Sequence, residues 1–433
     1  MNLKTDNRYI AFKLLEQYFK SNLYINDITL RYFQSNNLEA SNKNFINNLL
    51  LGVVRMKGKY DYILSDIYDG DYNKMKNKVR YILYIGMYQI EEMDSVPDHA
   101  SISVSVDITK LLFPGLEKLV NALLRKFIST SEKYKLAEGK RHTYALLSHP
   151  NWLINRWIKN YGLKKAISIC NFNNAPQSLW FRINKNREKT LTKLKENNYT
   201  IDNHKINELF FKTENPRMLI KSDIFNQGDI SIQNPINGCI VDLLDAKNKD
   251  TIIDGCSAPG GKGTFAALKA PKSTIVSIDN NITRINKIKE SIKRQRIQNI
   301  KILKKDMTKD QIPEANKILI DVPCTGTGVI NRRLDIKWRR TQEELNTIRS
   351  IQYKILSNVA KYLKPKGIIV YSTCSIEPEE NELLIKDFID TNNFIVEDAS
   401  NFVNNHIVHN GAIKVLPGEY DLDGGFAVRL RKL

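Results

Sequence analysis

Cysteine is scarce in this 433-residue chain: Cys170, Cys239, Cys256, Cys324 and Cys374 are odd in number, far apart and never in a CxxC pair. That excludes a disulfide framework, leaves no thiolate metal site to expect, and fits a reducing cytoplasm. No apolar run reaches the roughly 18 residues that a membrane helix needs. The opening stretch, MNLKTDNRYIAFKLLEQYFK, carries Asp6 and Glu16 among interrupted apolar positions, which argues against a signal peptide. A cytoplasmic protein with no membrane partner is expected. Two phosphate-binding fingerprints are missing as well. GxGxxG is absent, and aligning Gly261 and Lys262 with GxxxxGK[ST] puts Cys256 at the first glycine and Gly263 at the Ser/Thr position.

Acidic residues are in deficit too. Sixty-six Lys and Arg against 47 Asp and Glu give a formal net charge of +19 and a pI near 9.4. Such an excess favours a polyanionic partner, although a Lys-rich and Asn-rich composition produces the same number. With 42% hydrophobic and 26% charged residues the chain is globular, and its length predicts two or three domains.

Residues 1 to about 130 repeat a helical period, as in Ala11, Leu14, Leu15 and Tyr18, in Ile46, Leu49, Leu50 and Val53, and in Leu116, Leu119, Val120 and Leu123. Proline and glycine are sparse there, so an all-helical bundle is predicted. His99 has no acid and nucleophile at a suggestive spacing and receives no site role. Residues 131 to about 165 read as a connector, followed by a small α+β unit to about residue 240 in which LWFRINKNR is a strand and KTLTKLKENN a helix. From about 250 strands and helices alternate, which predicts a parallel, doubly wound sheet closed by the late strand FAVRL.

Three stretches in this last part share one layout. TIIDGCSAPGGKG (251 to 263), KILIDVPCTGTG (317 to 328) and GIIVYSTCS (367 to 375) each run from an apolar strand into small residues and a cysteine. In open α/β folds ligands bind at such strand ends. Glycines where the first of them turns into a helix let the backbone approach a ligand with free N–H groups. Asp279 after the second strand suits ribose hydroxyls, and Asp306 after the third suits an adenine edge. The site reads as nucleoside-binding without a phosphate requirement.

Those motifs carry a close resemblance. DGCSAPGGKG, DVPCTGTGVI with RRLDIKW, YSTCSIEPEENE and DGGFAVRLRK resemble four signatures of the RNA 5-cytosine methyltransferases, with Ser257, Gly263, Leu334 and Gly425 departing from the family's usual Ala, Thr, Pro and Phe. VPDHASISVSVDITK (96 to 110) and VNALLRKF (120 to 127) resemble the NusB-like RNA-binding domain, which points to the ribosomal branch of that family. Arg182 and Asn184 resemble an Arg-x-Asn element in a small domain that helps hold RNA.

The resemblance implies a multidomain fold: an all-α NusB-like bundle over 1–130, a connector and small α+β RNA-binding domain over 131–240, and an α/β Rossmann-like methyltransferase domain over 241–433. It implies S-adenosyl-L-methionine as cofactor, held by Cys256, Ser257, Ala258, Pro259, Gly260, Gly261 and Lys262 together with Asp279, Asp306 and Asp321. Methylation of carbon 5 of a cytosine in small-subunit (16S) ribosomal RNA by a monomeric enzyme is the implied reaction. Cys374 is implied as nucleophile, Cys324 as the group that assists product release, and Asp321 as a contact to the ring. The reverse assignment of the two thiols stays open, as do a transfer RNA substrate and a non-catalytic RNA-binding scaffold. Carbon 5 of cytosine is a weak nucleophile until a thiolate adds at carbon 6, so two thiols match the two tasks of attack and release.

Overall fold

The computed structural model describes residues 3–134, 143–176 and 178–433; residues 135–142 of the expected connector lie outside that description. The chain divides into two compact units. One comprises Met1–Ala175 together with Arg333–Arg339, and the other comprises Pro176–Arg332 with Arg340–Leu433.

The first unit is helical, with helices that include Asn7–Lys20, Ala40–Ile67, Asn77–Glu92, Asp98–Leu112, Glu117–Thr130 and Asn151–Tyr161. Asp6 starts the first of these by accepting the Arg8 N–H at 2.7 Å, which satisfies an otherwise orphaned donor. The apolar faces read from the sequence are inside: Ala11, Leu15, Ile46, Leu49, Leu50 and Val53 are buried in one core. The segment Arg333–Arg339 belongs to this unit by its bonds. Asp335 Oδ1 accepts the Ile25 N–H at 2.9 Å, Trp338 Nε1 donates to Val54 O at 2.6 Å, and Lys337 Nζ donates to Arg55 O at 2.9 Å and Asn174 Oδ1 at 2.7 Å. Lys337 is fully buried, and that burial holds its amine well below the ordinary lysine range.

The second unit contains two sheets. The smaller is antiparallel and comprises β1 (Leu179–Ile183), β2 (Ile201–Asn203), β3 (Phe210–Thr213) and β4 (Ile230–Ile232), in the order β2-β3-β1-β4. The larger contains β5 (Thr251–Gly255), β6 (Thr274–Asp279), β7 (Ile300–Lys304), β8 (Ala315–Asp321), β9 (Leu363–Thr373), β10 (Phe394–Glu397), β11 (Val408–His409), β12 (Ala412–Val415) and β13 (Gly425–Lys432). Its order is β11-β12-β13-β9-β8-β5-β6-β7, with β10 on the other part of β13. Strands β5 to β9 pair in parallel, whereas β13 runs antiparallel to β9. The predicted parallel core is present, and β10, β11 and β12 are additions that the sequence reading did not include. Each is four residues or shorter, too brief to show a period. Ile236 Cδ1 lies 3.1 Å from where a Cβ on Gly425 would stand, so an aliphatic side chain fills the space next to this residue.

The chain enters the sheet at β5 and crosses over to β6 and β7 on one side before returning to β8 and β9 on the other. The carboxyl ends of β5 and β8 therefore flank the topological switch point, where loops diverge and leave a crevice. Both of the loops that carry the main motifs start there.

Candidate active site

The loop after β5 begins at Cys256, which has φ +56°, and passes through a cis Ala258–Pro259 bond to Gly260, at φ +94°. A positive φ of that size is open to glycine at little cost and lets helix Gly261–Lys269 start directly. The loop is fixed from below. Ser257 N–H donates to Ile278 O at 3.0 Å, Gly260 N–H donates to Ser257 O at 2.7 Å, and Asp279 Oδ2 accepts the Ala258 N–H at 3.3 Å. Asp279 Oδ1 also accepts the Asn281 N–H at 3.0 Å, so this carboxylate ties the end of β6 to the neighbouring loop. Lys305 N–H bonds Asp279 O at 3.2 Å, which sets the turn containing Asp306 next to it. Asp306 accepts the Thr308 N–H at 2.9 Å and its hydroxyl at 2.6 Å, and these bonds hold its carboxyl below the usual range.

Beneath the loop lies Asp254, 1% exposed, with Oδ2 accepting the Ser277 hydroxyl at 3.3 Å and Oδ1 unpartnered. Burial raises its carboxyl from 3.8 to about 7, opposed by the charge of Lys262 and assisted by that of Asp321. Gly263 lets Asp254 pack tightly here, since a Cβ would stand 2.2 Å from Asp254 Oδ2 and displace that side chain. Buried Ser257 Oγ is likewise without a partner. Burial also raises the Cys256 thiol, which suits a packed thiol rather than a reactive one.

Lys262, in the first turn of the helix, places Nζ 2.6 Å from Asp321 Oδ2 at the end of β8. Ser372 Oγ donates to Asp321 Oδ1 at 3.0 Å, so both carboxylate oxygens are held. Three residues on, Cys324 Sγ meets Cys374 Sγ at 3.2 Å. A shared proton and burial raise the Cys324 thiol well above its ordinary value, so the pair gives up one proton far more readily than two. The approach depends on glycine: Gly328 N–H donates to Cys374 O at 3.0 Å, and a Cβ on Gly328 would meet Gly424 O at 2.4 Å. Cys170 and Cys239 are buried elsewhere, and burial pushes their thiols up to about 12.

Thus the structure pairs Lys262 with Asp321 and, three residues along the same loop, Cys324 with Cys374, while Asp279 and Asp306 line the adjoining edge at β6 and β7. The residues fit a nucleoside-containing sulfonium cofactor in two respects. A glycine-rich turn leads straight into helix Gly261–Lys269, and carboxylates stand at or just beyond the ends of consecutive strands. Two residues bonded into this site escaped the sequence reading. Ser372 lies in an apolar strand, and Glu380, fully buried beside both cysteine loops, stands in an acidic run that reads as surface. Arg182, of the Arg-x-Asn element, lies inside the second unit. It is fully buried, donates to Asn184 Oδ1 at 2.9 Å and Gln233 Oε1 at 2.5 Å, and lies over the Phe265 ring at 4.1 Å, so it joins the small sheet to helix Gly261–Lys269.

Known proteins match the chain along its length. The family model for 16S rRNA methyltransferase RsmB/F matches residues 241–431, the NusB family matches 5–129, and the RsmF/B-like ferredoxin-like domain matches 149–215. A protein named ribosomal RNA small subunit methyltransferase B from Proteus mirabilis is 30% identical over 98% of both chains. A Bacillus subtilis protein named probable ribosomal RNA small subunit methyltransferase B is 28% identical over 99% of both. Among solved structures, that titled PH0851 has a TM-score of 0.78 at 22% identity and covers 100% of this chain and 99% of its own. NSun6 from Pyrococcus horikoshii with SFG has a TM-score of 0.60 at 22% identity over 65% of this chain and 98% of that one. Three domain models in the expected order and a relative matched from end to end place the chain in the ribosomal RNA small subunit methyltransferase B family.

Proposed function

We propose that this protein methylates carbon 5 of a cytosine in small-subunit ribosomal RNA, with Cys374 as the attacking thiol and Cys324 as the group that completes the reaction. The observation that carries the reading is the pair of thiols 3.2 Å apart beside the Lys262–Asp321 ion pair, at the strand ends where an α/β sheet binds ligands. S-adenosylmethionine, when bound, supplies an electrophilic methyl group on sulfur. Residues 256–262, Asp279 and Asp306 would hold it.

The thiolate of Cys374 adds to carbon 6 of the cytosine, forming a carbon–sulfur bond and making carbon 5 nucleophilic. Asp321, fixed by Lys262 and Ser372, is positioned to accept a hydrogen bond from the ring as charge redistributes. Once Cys374 is bonded to carbon 6 it no longer shares a proton with Cys324, so Cys324 loses its own proton to solvent. After carbon 5 has taken the methyl group, the Cys324 thiolate removes the remaining proton there. The electron pair re-forms the ring double bond and expels the Cys374 thiolate. Because these atoms are hidden in a stacked helix, the target cytosine must be unpaired or turned out, and the positive net charge supplies affinity for the RNA backbone.

The test is a denaturing gel of enzyme incubated with cofactor and unmodified small-subunit RNA, followed by nucleoside analysis. Cys324→Ala is expected to accumulate a protein–RNA adduct, and Cys374→Ala to form none. The opposite pattern would exchange the roles of the two thiols. Absence of 5-methylcytosine from wild-type reactions would remove the ribosomal substrate from the reading.

A further inference from the structure

Cys324 and Cys374 lie on loops that follow different strands, and the chain between them is long, so something must keep the two sulfurs in register. The residues next to each thiol converge on one carboxylate. Glu380, on the short turn Pro378–Glu380, is fully buried. Its Oε1 accepts the Thr325 N–H at 2.8 Å and Gln352 Nε2 at 2.9 Å. Its Oε2 accepts the Thr325 hydroxyl at 2.5 Å and the Ser375 hydroxyl. Thr325 directly follows Cys324 and Ser375 directly follows Cys374, and their hydroxyls are 3.0 Å apart. The turn is itself anchored, since Tyr371 Oη donates to Glu380 O at 2.7 Å, and Gln352 Nε2 also donates to Pro323 O at 2.9 Å.

We propose that Glu380 is a positioning residue that clips the two cysteine loops together and so sets the thiols at working distance. This rests on the assignment of Cys374 and Cys324 to attack and release. Four donors point at two oxygens, a demand that an ionised carboxylate meets and an amide does not, because one end of an amide is itself a donor. A misplacement of about 1 Å is enough to cost on the order of a hundredfold in rate when reacting groups must be aligned. The carboxylate also acts through its charge. The groups facing the thiol pair are Glu380, Asp321 with its partner Lys262, Tyr371 and, through Thr325 O, Arg340. Glu380 and Asp321 both raise the Cys324 thiol, so removing the Glu380 charge eases loss of the first proton from the pair.

The experiment compares wild type, Glu380→Gln and Cys374→Ala for adduct formation, for kcat and the KM for S-adenosylmethionine, and for the pH profile of thiol alkylation. Glu380→Gln is expected to lower kcat at least about tenfold with KM within about twofold, since alignment enters the reacting step and not cofactor binding. Its alkylation profile is expected to move to lower pH, which a merely structural role would not produce. A folded Glu380→Gln protein with wild-type kcat and an unmoved profile overturns the clip, as does a loss of activity that follows loss of folded protein with the profile unmoved. Should Glu380→Gln not fold, Thr325→Val and Ser375→Ala each remove one donor, and both must slow adduct formation; wild-type rates in both overturn the proposal. If Cys374→Ala still forms adduct, the assignment of the thiols is at fault. If it forms none while Glu380→Gln matches wild type, the clip alone fails.

Discussion

Replacing Asp254 with asparagine should change how stability depends on pH, and the size of the change follows from burial. The carboxyl is 1% exposed, one oxygen has no partner, and its value rises from 3.8 to about 7. Below pH 3.8 the group is protonated in both folded and unfolded chains and contributes nothing. Between 3.8 and about 7 the folded protein holds a proton that the unfolded chain has released, so stability falls as pH rises and levels off above about 7. The full penalty at high pH is about 4 kcal/mol, of which about 2–3 kcal/mol develops between pH 5 and 8. Asparagine keeps the shape and carries no charge to desolvate. The prediction is that the variant gains about 5–10 °C in melting temperature relative to wild type on going from pH 5 to pH 8. The assay is the wild-type-minus-variant difference at each pH, in which other titrating groups cancel. A difference that stays flat across this range would show that Asp254 is ionised throughout, contrary to the burial argument.

Lys262→Met removes the partner of Asp321 and should lower kcat at least about tenfold, corresponding to about 1.4 kcal/mol of transition-state stabilisation; steady-state methyl transfer with labelled cofactor measures it. Gly328→Ala sets a methyl group 2.4 Å from Gly424 O and forces the backbone beside Cys374 apart. A stability loss of about 1–3 kcal/mol in a denaturant titration and slower adduct formation are expected.

Much of the molecule was legible in the sequence because its signals are local. Helical periodicity in Ile46, Leu49, Leu50 and Val53 marks a buried face wherever the helix lies, and their burial follows from spacing alone. The strand, loop and helix at Asp254 to Lys269 could be read because apolar residues give way to glycines at the point of turning. Charged and polar residues were harder to place. Arg182 sits in LWFRINKNR, which reads as a strand, but the partners that bury it, Gln233 and Phe265, come from distant positions. Asp335, Lys337 and Trp338 belong to the RRLDIKW part of one signature, yet they are bonded to carbonyl and amide groups of the helical unit.

The sequence by itself determined the residue types, the order of strands and helices, and the presence of two thiols and a carboxylate at strand ends, because each depends on neighbours a few positions away. Only the tertiary structure decided that Cys324 and Cys374 are 3.2 Å apart, that Lys262 pairs with Asp321, and that Glu380 is buried between both cysteine loops. Those relations cross between strands that pair in space but lie far apart in the chain, and side-chain distances across a sheet are set by register and packing, which no local pattern encodes.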